Sequence, residues 1–163
     1  MHLGADGIPG AVKTLSKGAD SPRVEVDPRG RSTVVWRRIK QTKRLLVVRV
    51  QSVHLGADGT PRAVKTLSKG RAFDPQVAVD RRGRATVVWE RLRLRGNGVS
   101  QIEARRLDVR GAPEPVRTLA KAEGVGSAQV AVDSKDRPTV VWALSELSIG
   151  GLIQPTRTEI GAG

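Results

Sequence analysis

Thr33-Val34-Val35-Trp36 recurs as Thr86-Val87-Val88-Trp89 and again as Thr139-Val140-Val141-Trp142, each copy 53 residues after the last. Working outward from this tetrapeptide, an Asp stands nine residues ahead of each Trp. These are Asp27, Asp80 and Asp133, which close the segments Val24 to Asp27, Val77 to Asp80 and Val130 to Asp133. A second block, Leu3 to Gly7 followed by Ala11 to Gly18, returns as Leu55 to Gly59 and Ala63 to Gly70, and in diverged form as Leu107 to Gly111 and Pro115 to Leu119. A fixed period of this length marks a repeat architecture, in which each unit buries its apolar face against its neighbours.

Within one repeat the apolar pattern has period two. Val77 and Val79 alternate with Gln76 and Ala78, and Arg81-Arg82-Gly83 then turns the chain into Ala85 to Trp89, which reads as a β-hairpin. A third strand is expected over Ser100 to Leu107. A fourth is expected over Pro113 to Leu119, and over Pro61 to Leu67 in the preceding copy, where a leading proline suits an outermost strand. Gly96-Asn97-Gly98 reads as a hairpin turn. No segment carries a helical pattern, so the chain is read as all-β.

The period, four strands per unit and a Trp closing the second strand resemble tandem β-propeller repeats. Asp27-Pro28-Arg29-Gly30 leading to Trp36 is similar to the Asp-box hairpin of several propellers. Gly30 and Gly83 stand three residues after the Asp, where an Asp box has two, and the signatures of WD40 blades are absent. The resemblance therefore implies a fold and no particular activity. Strand phase divides the chain into an N-terminal outer strand (1–15, with the strand itself at Pro9 to Leu15), a first blade (16–67), a second (68–119) and an incomplete third (120–163). The last strand of that third blade is expected at Ile153 to Thr158. Propellers typically have four to eight blades. Three blades per chain thus predict a homodimer closed head to tail as a six-bladed ring, with each N-terminal strand completing its partner's third blade.

Hydrophobic residues make up 38% of the 163 and aromatic residues 2%, so the core must be built mainly from Val, Leu, Ile and Ala. With no Cys, disulfides, thiolate metal sites and Cys nucleophiles are excluded. No apolar run reaches the roughly 18 residues of a membrane span and the first residues lack a signal-peptide pattern, so a soluble protein without membrane partners is expected. Lys and Arg number 29 against 16 Asp and Glu, a net charge of +13. Residues 1–53, 54–106 and 107–163 carry +7, +7 and −1.

Trp36, Trp89 and Trp142 are expected to pack between blades rather than to stack on sugars or bases. Asp27, Asp80 and Asp133 are expected to bond the backbone of their own turns rather than a ligand. His2 and His54 share a repeat position that holds Arg106 in the third copy, which argues against a metal-ligand or general-base role. No nucleophile, acid–base pair or metal cluster assembles from the sequence, and near-identical repeats supply equivalent residues rather than the distinct groups that catalysis needs. The expectation is a non-enzymatic binding or scaffold module, without cofactor or metal, that binds itself and recognises glycans at repeated sites. The alternative is an electrostatic binder of nucleic acid or other polyanions. Its rim would lie on the loops that join the second to the third strand and one blade to the next: Arg37, Arg38, Lys40, Lys43, Arg44, Lys69, Arg71, Arg91, Arg93 and Arg95.

Overall fold

The computed structural model describes residues 12–43, 45–92 and 99–145, together with the backbone of 157–162. Among the described residues eleven strands form three antiparallel sheets. The first contains β1 (Ala19–Val26), β2 (Ser32–Gln41), β3 (Leu46–Leu55) and β4 (Lys65–Thr66), paired in that order. The second contains β5 (Arg71–Val79), β6 (Ala85–Leu92), β7 (Val99–Leu107) and β8 (Arg117–Glu123), again in chain order. The third contains β9 (Val125–Val132), β10 (Pro138–Leu144) and β11 (Arg157–Ala162), with β10 central. Each sheet is a meander of neighbouring strands, as short turns and period-two patterning require.

The outer strands differ from the sequence reading. In the first sheet only Lys65 and Thr66 form β4, with an isolated bridge from Leu55 to Pro61, instead of a strand over Pro61 to Leu67. In the second sheet the strand begins at Arg117 and runs to Glu123, past the expected end at Leu119. Pro113 and Pro115 have no N–H to give to a ladder, so continuous pairing waits until both are passed. The last strand of the second sheet thus ends at Glu123 and the first of the third sheet starts at Val125. The final strand lies at Arg157–Ala162 rather than Ile153 to Thr158, whose first residues fall outside the described ones. Its register sets Trp142 opposite Glu159, repeating the pairing of Trp36 with Gln51 and of Trp89 with Glu103. Of the N-terminal outer strand, Pro9 to Ala11 lie outside the described residues, and Val12 to Leu15 are not in a strand.

The core lies between sheets. Val35, Val50 and Leu67 of the first sheet pack with Ala72, Val77, Ala85, Val87, Trp89 and Leu107 of the second. Val88, Ile102 and Ala104 of the second pack with Val125, Ala128, Val140 and Trp142 of the third. Val87 and Val88, adjacent on β6, therefore serve opposite interfaces, because successive strand side chains point to opposite faces. The three Trp residues are 3%, 0% and 7% exposed; Trp89 packs in the first inter-sheet cluster and Trp142 in the second, while Trp36 is buried outside both. The Trp36 indole donates to Gln51 Oε1 at 3.2 Å and the Trp89 indole to Glu103 Oε2 at 2.9 Å, so each buried N–H is satisfied across the ladder.

Candidate functional site

The turns that carry Asp27, Asp80 and Asp133 are near-copies. Asp27 Oδ1 accepts the backbone N–H groups of Arg29 and Arg31, each at 2.9 Å, while Oδ2 accepts Arg31 Nε at 2.7 Å. Asp80 and Asp133 hold the corresponding groups of Arg82, Arg84, Lys135 and Arg137. Burial opposes ionisation of Asp27, but Arg31 and the two backbone donors outweigh it and hold the carboxyl below the usual range. These aspartates are fully used by their own turns. Successive turns also clasp one another: Arg31 donates to the Arg82 carbonyl at 3.1 Å, and Arg81 pairs with Asp136 at 3.3 Å. Gly83, at φ +85, is required here because a Cβ would run into the Arg31 guanidinium and the Asp27 carboxylate.

The ten basic residues expected to form a rim divide into three groups. Arg37 is held by Asp20 through two 2.6 Å hydrogen bonds, and its guanidinium lies 5.4 Å from the Phe73 ring centroid. Arg91 is held by Glu103 at 2.8 Å. These two are internal ion pairs rather than free rim charges. Arg38, Lys40, Lys43, Lys69 and Arg71 form no ion pair with any described residue, and Lys40, Lys43 and Lys69 are exposed. Arg38 donates to the carbonyls of Gly18 and Ile39, tying the start of β1 to the end of β2. Arg44, Arg93 and Arg95 lie outside the described residues.

Two features went unread in the sequence. The first is a bulge repeated in the opening strand of every sheet, where Ser21, Asp74 and Ser127 sit at φ 48°, 48° and 53°. A non-glycine residue there is uncommon and collects at functional sites. Around these bulges gather Asp20, Arg37, Asp74 and Glu90. Arg37 holds the Asp20 carboxyl below its usual range, whereas burial, joined by the charge of Asp74, pushes Glu90 up against the opposing hydrogen bond from Ser100. Their signal was available, since the three bulge residues share the 53-residue period.

The second is a cleft of about 450 Å³ between the first and second sheets, lined by Ser52, His54, Arg62, Lys65, Arg110 and Gly111 among others. Gly111, at φ +78, turns its Cα toward His54, and an added Cβ would lie 2.9 Å from the histidine Cβ. The corresponding cavity between the second and third sheets is about 120 Å³, with Ala104, Arg106, Glu114 and Arg117 at the equivalent positions. Among the described residues no three His, Asp or Glu side chains are grouped to hold a metal, and no helix is long and apolar enough to cross a membrane.

The chain is similar to the crystal structure of an endo-arabinase from Bacteroides thetaiotaomicron VPI-5482, with a TM-score of 0.51 over 86% of this chain. The architecture is β-propeller-like. Sequence identity is 16%, so the likeness concerns fold alone, and this chain spans 54% of that enzyme's length. No family model and no curated protein matches the sequence.

Proposed function

We propose that the chain is a non-enzymatic β-propeller binding module: two copies join head to tail into a six-bladed ring whose basic surface takes polyanions. The observation that carries the binding reading is the supply of cations left unmatched. Lys40, Lys43 and Lys69 at one end of the sheets, and Arg62, Lys65 and Arg110 around the cleft, are exposed and have no carboxylate partner among the described residues. Together with the net charge of +13, this favours contacts to phosphate or sulfate driven by counterion release. The expected result is retention on a heparin column at low salt that is lost at high salt. Flow-through at low salt, or retention that persists at high salt, would overturn the reading.

Assembly is supported by the faces of the repeats. Val24 and Val26 on β1 are each 58% exposed, whereas their counterparts on β5, Val77 and Val79, are 7% exposed and half-buried beneath the preceding blade. A second copy's third blade would supply the same kind of cover, and its segment of −1 would meet one of +7. Light scattering coupled to size exclusion should give about 35 kDa, twice the 17.5 kDa of one chain, and a folded 17.5 kDa species would sink the ring.

A second reading is carbohydrate processing. It is favoured by the likeness to an endo-arabinase and by Asp20 and Glu90, two carboxyls whose surroundings push their proton affinities apart. Release of reducing ends from arabinan, abolished by Glu90→Gln, would support it over the non-enzymatic module.

A further inference from the structure

We propose that the cleft at the first inter-sheet junction is a site for a tetrahedral oxyanion, the terminal phosphate or sulfate group of a larger ligand. This deepens the polyanion reading and rests on it. Arg62, Lys65 and Arg110 surround the cleft with exposed cationic side chains, and His54 lines it from strand β3 at 5% exposure. His54 Nδ1 lies 3.3 Å from the Thr33 hydroxyl, while Nε2 is buried and has no hydrogen-bond partner among the described residues. A buried ring nitrogen left without a partner is costly, and an anion oxygen is the acceptor that a cationic cleft would bring to it.

The charges around the ring agree with this assignment. Burial, Arg31 and Arg62 lower the His54 pKa, against weaker opposing pulls from Asp27 and Asp108. Asp27 is engaged by Arg29 and Arg31, and Asp108 by the backbone N–H groups of Arg110 at 2.8 Å and Ala112 at 2.7 Å. Lys65 and Arg110 add further positive charge at the cleft. A neutral imidazole that accepts from Thr33 at Nδ1 carries its proton on Nε2, where it can donate to an oxyanion. The second junction serves as an internal control, because Glu114 replaces Arg62 and the cavity is smaller. There Glu114 offsets one of the lining arginines, Arg106 takes the place of the imidazole and the volume is about 120 Å³, so no equivalent site is built and one site per chain is expected.

The test follows the His54 ring by NMR in the full chain during titration with inorganic phosphate and, separately, inorganic sulfate. Saturable binding should raise the His54 pKa by about one unit or more. Arg62→Glu, which installs the residue that the next repeat already carries, should weaken binding about tenfold or more while the circular dichroism spectrum stays unchanged. Lys65→Gln provides a second, independent variant with the same expected direction. Tighter binding of phosphate assigns a phosphate ester, and tighter binding of sulfate assigns a sulfate ester. A His54 resonance unmoved by both anions, or full affinity in both variants, overturns the site. Heparin retention of the unmodified chain separates the two readings: retention beside a silent His54 removes the cleft alone, whereas loss of both removes polyanion binding altogether.

Discussion

The leading faces of the first and second sheets carry the same residue pattern in opposite surroundings. Val24 and Val34 of the first correspond to Val77 and Val87 of the second. Val24 is 58% exposed and Val34 half-buried, whereas Val77 and Val87 are 7% and 0% exposed. Strand formation is equal in the two cases, so the alternating pattern alone makes the sheet. For these valines burial comes only from a neighbouring sheet, and most of their hydrophobic stabilisation with it, whereas Trp36 on the same strand as Val34 is 3% exposed outside both inter-sheet clusters. The aspartate turns depend on the sheet that follows them, for Asp27 and Asp80 are 4% and 5% exposed beside the next sheet's turn while the side chain of Asp133, in the third sheet, is 36% exposed.

The comparison can be broken by substitution. Trp89→Ala should have the largest effect, about 3–5 kcal/mol in denaturant unfolding, because it empties the inter-sheet core and takes the indole donor from buried Glu103. Val77→Asp should cost a similar amount, about 3–5 kcal/mol, by placing an unpaired charge in that core. The matched Val24→Asp should change the unfolding free energy of the single chain by no more than about 0.5 kcal/mol, yet reduce the mass in solution from that of the proposed dimer to that of one chain. Equal destabilisation by the two aspartates would mean that the first sheet's leading face is covered within one chain.

Smaller effects sharpen the contrast. Asp80→Ala should cost about 1–3 kcal/mol through the loss of two backbone hydrogen bonds and the Arg84 pair, and Asp133→Ala should lower the melting temperature less. The last prediction concerns pH. Burial raises the Glu90 pKa in the folded chain, so the folded state favours the protonated acid. Stability from this group is therefore fully present below its unfolded value near 4.5 and is lost as pH rises through the raised folded value. Glu90→Gln should accordingly raise the melting temperature at pH 7 and leave it nearly unchanged at pH 4. Asp20 runs the other way: Arg37 lowers its pKa, and its contribution disappears as the pH falls through that lowered value.

The candidate site was less legible than the fold. Arg37 and Arg91 read as free rim cations in a loop-by-loop count, because their partners Asp20 and Glu103 lie 17 and 12 residues away and meet them only across the ladder. His54 read as a repeat position of no chemical consequence, since its cleft needs Arg110 from the next sheet. The outer strands were misplaced because prolines mark where a ladder cannot run, not where it resumes.

From the sequence alone came the all-β class, the 53-residue unit, the strand-turn order, the turn bonding of Asp27, Asp80 and Asp133, and the inter-sheet packing of Trp89 and Trp142. Each of these depends on local rules, namely alternation along a strand and the hydrogen bonds that a side chain makes to its own turn. Which cations are neutralised, which valines are covered, where the outer strands pair and what lines the cleft were decided by tertiary structure. Those properties belong to pairs of residues on different strands and sheets, and their distances exist only once the sheets are stacked.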